Sequence, residues 1–299
     1  MLWLDHTNIR GRLELLLGHI GFDYGTPRRS RHAQNRSNMN LPTALITGAT
    51  GDIGKAIASR LAQDGFQLTL FGREQSKLSS AANDLALSAT VDGALRTVVC
   101  DVRRADDVSR AVDELASQVD TVEVLVNCAG VSGGGITADV APAAWDDVIA
   151  TNLNGTFYVV RELLTRKLIP PGGRIINIAS TGGKQGVLHG SPYSASKHGV
   201  VGFTKSLGLE LAREGSGITV NAVCPGFVES AMAEKVRQNY ARLWNTDTAT
   251  AKTRVEERVP IGRYIEPDEV AGMVSYLASP EASAVTAQAL NICGGLGNV

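Results

Sequence analysis

The sequence predicts an α/β fold: a Rossmann-like, doubly wound sheet of seven parallel strands, helices on both faces, in a single domain. Three observations carry this expectation. From residue 41 onward, short runs rich in Val, Ile and Leu alternate with amphipathic stretches. Such runs suit strands buried on both faces of a parallel sheet. A glycine-rich turn joins the first run to the first amphipathic stretch, as expected where a βαβ unit meets a ligand. The chain also has 32 glycines and only 5% aromatics, a balance that suits tight turns and close backbone approaches.

Taken in order, the apolar runs are 44–47, 68–71, 97–100, 122–126, 174–178, 218–223 and 289–292, and each is expected to be a strand. Helical periodicity is read at 55–64, 106–119, 142–167 and 192–213, for six helices in all. Residues 230–259 read as a helical insertion before the last helix and strand. Residues 41–299 are expected to form the domain. Residues 1–40 read differently. Leu13 to Leu17 could form a short helix, and GTPRRSRHAQNRSNMN is polar, basic and aperiodic, as in disorder. Asp5 and Arg10 interrupt any signal peptide. Met39 is an alternative start, which would make 1–38 an upstream extension; the other reading is a genuine disordered tail.

Bulk chemistry narrows the function. The 299 residues carry 29 basic and 30 acidic side chains, which argues against nucleic acid as a partner. No apolar run approaches the roughly 18 residues of a membrane span. Cys100, Cys128, Cys224 and Cys293 form no C-x-x-C pair and read as buried small hydrophobes in a reducing cytoplasm. The five histidines do not group with them, so no metal is expected.

The glycine turn reads Thr47-Gly48-Ala49-Thr50-Gly51-Asp52-Ile53-Gly54. At the start of a helix its free N–H groups suit a pyrophosphate, although many glycine turns bind nothing. Thr47, Gly48, Thr50, Asp52, Ile53 and Gly54 are the candidate cradle. The second strand ends without a carboxylate for a ribose 2′-hydroxyl, and Arg73 follows at once. A guanidinium there suits a 2′-phosphate, which favours NADPH over NADH; the alternative is a plain surface arginine. Asp101 and Val102 are placed at the adenine, and Asn127, Ala129 and Gly130 beside the adenosine half.

The chemistry is expected from Ser180, Tyr193 and Lys197. Spacing of four puts the Tyr and Lys on one helix face. The lysine is expected to lower the phenol's ordinary pKa of about 10 and make it a useful proton donor. Ser180 would hold the same substrate oxygen. Asn152 is placed inside a long helix, where asparagine is a mediocre helix former.

Together the glycine turn, Asn127-Cys128-Ala129-Gly130, Asn152, Ser180, Tyr193-x-x-x-Lys197 and Pro225-Gly226 resemble a classical short-chain dehydrogenase/reductase across residues 43–299. The resemblance implies a tetrad of Asn152, Ser180, Tyr193 and Lys197. NADPH would deliver hydride to a carbonyl carbon and Tyr193 would protonate the oxygen. Lys197 would hold the nicotinamide ribose, and Asn152 a water leading to solvent. Pro225, Gly226, Val228 and Ser230 would complete the cofactor contacts. One departure is plain: Asp52 stands at the family's middle glycine. It is expected to point away from the phosphate or to bond backbone N–H groups.

The stretches STGGKQGVLHGSPYSASKHGVVGFTK, NAVCPGFVE, RVPIGRY and AVTAQALNICGGLGN resemble, more narrowly, ketoreductases of aromatic (type II) polyketide synthases, the actinorhodin type. That implies reduction of one ketone, typically at C9, of a poly-β-ketone held on an acyl carrier protein, in antibiotic biosynthesis. It also implies a homotetramer. Ser132, Gly133, Gly134, Thr181, Gln185, Val187 and His189 are the candidate substrate lining. Ser132 stands where the family carries a proline, and the glycines after it suggest an open, mobile wall. Residues 232–258 would form a lid, with Arg237 and Arg242 either solvated or facing the carrier. His198 reads as a helix-surface residue. The competing readings are a 3-oxoacyl-acyl-carrier-protein reductase of fatty acid synthesis and an inactive cofactor-binding regulator.

Overall fold

The alternation of strand and helix is realised in a computed structural model that describes residues 41–88 and 94–297. The extension expected over residues 1–40 lies outside the described residues. Seven strands, β1 (Thr43–Thr47), β2 (Gln67–Gly72), β3 (Leu95–Val99), β4 (Val124–Asn127), β5 (Arg174–Ile178), β6 (Thr219–Pro225) and β7 (Ala289–Ile292), form one parallel sheet. Their order is β3-β2-β1-β4-β5-β6-β7. Thr47 at the end of β1 is flanked by Phe71 of β2 and Asn127 of β4. The strand order reverses here, so a crevice opens at the carboxyl ends of β1 and β4.

The strand runs fall where expected, within a few residues. The helices differ more. Nine occur among the described residues, not six: α1 (Asp52–Gln63), α2 (Gln75–Ser88), α3 (Ala105–Ala116), α4 (Pro142–Ile149), α5 (Gly155–Thr165), α6 (Ser191–Arg213), α7 (Ala231–Leu243), α8 (Thr248–Glu256) and α9 (Pro267–Ala278). The single helix expected over 142–167 is α4 and α5 joined by a π-helical turn, Ala150–Asn154. α2 escaped notice because its Ser- and Ala-rich sequence shows only Leu78, Ala81 and Leu85 as a buried stripe.

Alternation along each strand builds two cores. Ala44 and Ile46 face one side with Ile57 and Leu61 of α1 and Val270, Val274 and Leu277 of α9. Leu45 faces the other with Val108 and Leu115 of α3, Leu163 of α5 and Leu211 of α6. Each such buried aliphatic side chain contributes about 1.5–3 kcal/mol. Local signals fix the ends. Pro192 lies in the first turn of α6, where its missing N–H costs nothing. α9 opens with a capping box between Glu266 and Glu269.

The insertion is pinned at its base. Val228 bridges Ile265, and Glu229 N–H donates to Ile265 O at 2.9 Å. Between these points α7 and α8 pack on a small cluster of their own: Ala233, Tyr240, Ala241, Ala251, Val255 and Tyr264. Arg237 belongs to that packing. It is 8% exposed, paired with Glu229 and Glu234, and stacked 5.2 Å from the Tyr264 ring. It is therefore a structural charge, not a contact for a carrier protein. Among the described residues no helix is long and apolar enough to cross a membrane, and no His/Cys/Asp/Glu cluster could hold a metal.

Candidate active site

β1 runs into the glycine turn and α1 starts within five residues. Gly48 has φ 65°, and a Cβ there would lie 2.6 Å from Ala129 Cα. A Cβ on Gly54 would lie 2.3 Å from Gly48 O. Only glycine allows this turn to pack against both β4's exit and its own helix. Thr47 locks the arrangement: its hydroxyl accepts from the N–H groups of Cys128 and Ala129, each at 3.1 Å. Thr47 is 1% exposed and stands behind the wall, so its expected ligand contact becomes a supporting one. Asp52 turns aside. Its Oδ2 accepts from Ala231 N–H, the first residue of α7, at 2.7 Å.

A continuous cavity of about 680 Å³ opens from this turn. Gly48, Thr50, Asp52, Ile53 and Gly54 line one end, followed by Arg73, Asp101, Val102, Ala129 and Gly130. Pro225, Gly226, Val228 and Ser230 line the wall below α7. Arg73 is exposed and makes no hydrogen bond or ion pair among the described residues. Asp101 is held below the usual carboxylate range, first by a hydrogen bond from Arg103, which also reaches Asp147 at 2.7 Å. Asn127 does not line the cavity. It is 3% exposed and donates to Asn177 Oδ1 at 2.9 Å, and Asn177 in turn donates to Thr204. A polar side chain ending a fully buried strand finds its partner in the neighbouring strand, so Asn127 crosslinks the sheet rather than meeting a cofactor.

Ser180, Tyr193 and Lys197 converge on the same cavity. Ser180 ends β5's exit and its Oγ accepts from Gly182 N–H at 3.0 Å. Lys197 is 5% exposed, and its Nζ donates 2.8 Å to Ile178 O. The Nζ lies 5.8 Å from the Tyr193 ring centroid. Burial pushes the Lys197 pKa down to about 8. The Tyr193 pKa runs against expectation. Burial raises it above 10, and a hydrogen bond with Ser180 offsets only part of that. The physical reason is that the buried phenolate loses hydration, which outweighs the hydrogen bond with Ser180.

Asn152 sits in the π-helical turn, and this resolves the oddity of a mid-helix asparagine. Its Oδ1 accepts from Val131 N–H at 2.8 Å, and its Nδ2 donates to Val131 O and Ser196 Oγ, each at 3.0 Å. It is 1% exposed and is not part of the wall. It ties β4's exit loop to α6, and thereby Gly130 to Lys197: a Cβ on Gly130 would meet Asn152 Oδ1 at 3.4 Å and Lys197 Nζ at 3.5 Å. Its amide is already engaged by protein, so this side chain holds the site together and does not itself reach into the cavity.

The expected substrate lining is all in the wall: Ser132, Gly133, Gly134, Thr181, Gln185, Val187 and His189. The glycines are not a loose wall, however. A Cβ on Gly133 would lie 2.4 Å from Val148 Cγ2, and one on Gly134 2.1 Å from His189 O. They are glycines because the chain passes close to α4 and to the loop before α6. Sequence reading missed the far wall: Phe227, Met232, Val236, Tyr240 and Trp244. Tyr240 and Trp244 stack with centroids 4.6 Å apart, and their spacing of four was the available signal. Arg242 also lines the cavity. Cys128 is there too, but burial pushes its thiol up to about 12, so it is inert as a nucleophile.

The short chain dehydrogenase family model matches residues 42–241. The chain belongs to that family. "Putative ketoacyl reductase" of Streptomyces coelicolor is 54% identical over 88% of this chain and 99% of its own. "Granaticin polyketide synthase putative ketoacyl reductase 1" of Streptomyces violaceoruber is 54% identical over 86% of this chain and 93% of its own. A crystal structure of an actinorhodin polyketide ketoreductase variant with NADPH superposes with a TM-score of 0.80 at 50% identity, covering 87% of this chain and 98% of that one. A 3-oxoacyl-acyl-carrier-protein reductase of Rickettsia bellii is 36% identical over 87% of this chain.

As a short chain dehydrogenase the protein is an oxidoreductase, and its cavity fits the dinucleotide that such chemistry needs. The turn that a Cβ would block, the N-terminus of α1 and the exposed Arg73 lie along one wall. The volume falls within the roughly 300–1,000 Å³ of ligand sites.

Proposed function

We propose that the protein is an NADPH-dependent ketoreductase of polyketide, and so antibiotic, biosynthesis. It would reduce one ketone, at C9, of an aromatic poly-β-ketone carried by an acyl carrier protein. The observation that carries this reading is the convergence of Ser180, Tyr193 and Lys197 on a cavity that begins at a glycine cradle. Relatives of 54% identity named as ketoacyl reductases support it. The 36% identical fatty acid type relative is further away. A homotetramer in the cytoplasm belongs to the same reading.

Arg73 would take the 2′-phosphate, and the N–H groups at the start of α1 the pyrophosphate. When bound, the reduced nicotinamide supplies the hydride for the carbonyl carbon. The chain's own groups handle the oxygen. Ser180 holds it by a hydrogen bond, and Tyr193 gives it a proton. The raised phenol pKa keeps that proton in place at neutral pH until a far more basic alkoxide develops. Lys197, with a pKa near 8, is largely an ammonium below that pH. It stabilises the phenolate left behind and keeps a proton at hand. Asn152 fixes the loop and helix that carry these groups. α7 and α8 act as the lid, and the stacked Tyr240 and Trp244 offer a flat apolar face to a cyclic ketone.

The test is NADPH consumption with a rigid bicyclic ketone and with an acetoacetyl thioester. The bicyclic ketone should be the better substrate, and Tyr193→Phe should lose about 10²–10⁴-fold in rate while still binding NADPH. Turnover of the linear thioester alone would overturn the polyketide reading in favour of fatty acid synthesis. Full activity of Tyr193→Phe would overturn the mechanism.

A further inference from the structure

The aspartate in the glycine turn is the feature that the reductase reading does not absorb. Asp52 is the first residue of α1, yet its carboxylate is bonded 179 residues away, to Ala231 N–H. Ala231 is the first residue of α7, the helix whose side chains form the far wall of the cavity. The donors two and three residues further along α7 are satisfied locally. Ser230 Oγ accepts from Ala233 N–H at 3.1 Å, and Ser230 O from Glu234 N–H at 3.0 Å. Ala231 N–H is the donor that Asp52 supplies for. The carboxylate therefore sits against the positive ends of two helices at once, α1 and α7. It also lines the cavity. Those two helix ends are the field that a ligand phosphate would otherwise use. A glycine at position 52 has no side chain, and would leave Ala231 N–H open to the cavity.

We propose that Asp52 is a positioning residue that latches the lid helix α7 to the phosphate cradle, ordering the lid before cofactor arrives and opposing the pyrophosphate with its own negative charge. The second half of this rests on the reading that the cavity takes NADPH. The latch and the charge separate in two variants. Asp52→Gly removes both. Asp52→Asn keeps an acceptor oxygen for Ala231 N–H and removes the charge.

The experiment reads amide hydrogen exchange over residues 231–243 in cofactor-free protein, then the NADPH dissociation constant by nicotinamide fluorescence. Asp52→Gly should speed exchange in the first turn of α7 by about fivefold, the size of a lost helix cap. Asp52→Asn should restore protection to within about twofold of wild type. Both should bind NADPH about two- to fivefold more tightly, the size of one charge at a helix end. The KM for NADPH should fall with it. Unchanged exchange in Asp52→Gly would overturn the latch. NADPH binding no tighter in either variant would overturn the opposing charge. The exchange arm needs no cofactor, and NADPH titration of wild type judges the reductase reading by itself.

Discussion

Lys197→Met should make the protein more stable while making it a poor enzyme. The ammonium is 5% exposed, and burial lowers its pKa from 10.5 to about 8. That drop corresponds to about 3 kcal/mol favouring the neutral amine over the charged form. The folded pKa is the depressed one, so the penalty is fully present below about pH 8 and vanishes as pH rises through the unfolded value of 10.5. Met keeps the length and removes the charge, but leaves Ile178 O without its 2.8 Å donor. That loss takes back about 1 kcal/mol. The net gain at pH 7 is about 2 kcal/mol, or roughly 4–8 °C in Tm for a chain of this size. Thermal melts of both proteins between pH 7 and 10.5 read the effect. The variant should melt above wild type at pH 7, and the gap should close and reverse as pH rises toward 10.5, where only the lost hydrogen bond remains. A Met variant that melts below wild type at pH 7, or a gap that does not close with pH, would refute the reasoning.

Further outcomes follow from the same geometry. Ketone reduction by wild type should decline as pH rises through about 8, where Lys197 loses its proton, and a rate profile with pH checks this. Arg73→Ala should raise the KM for NADPH about 10- to 100-fold, the value of a charge-assisted bond, and leave the KM for NADH within about twofold. Gly48→Ala should cost about 1–3 kcal/mol in a denaturant melt and abolish nucleotide binding, since its Cβ would meet Ala129 Cα at 2.6 Å. Gly65→Ala, with φ 94° but nothing within 4 Å, should pay the backbone cost and bind normally. Asn152→Ala should destabilise by about 1–3 kcal/mol, because it leaves Val131's part-buried N–H and C=O without their partner, and activity should fall with it.

The sheet was legible because burial on both faces leaves an unmistakable apolar run, and right-handed crossovers place the site at the carboxyl ends of the strands. The Tyr193 and Lys197 pair was legible because helix spacing fixes it. Three things were not. Thr47 and Asn127 stand in the right motifs, but whether a polar side chain at a strand end points into a cavity or across a sheet depends on its neighbour, here Ala129 N–H and Asn177. The phenol's raised pKa depends on depth of burial, which spacing does not encode. The far wall of the cavity comes from α7, whose polar face and buried Arg237 mask its role.

The π-helical turn has a consequence for how the chain tolerates change. Ala150–Asn154 holds one residue more than a regular turn would, so α5 is rotated by about 100° relative to a straight continuation of α4. Val159, Val160 and Leu163 reach the core only in that phase. Deleting one residue between 150 and 154 would straighten the helix and swing this triad toward solvent, with exposed Phe157 swung round as well. The surplus residue that carries Asn152 is thereby protected by the hydrophobic core itself: a shortened helix would be lost to misfolding before it could be tried as an enzyme.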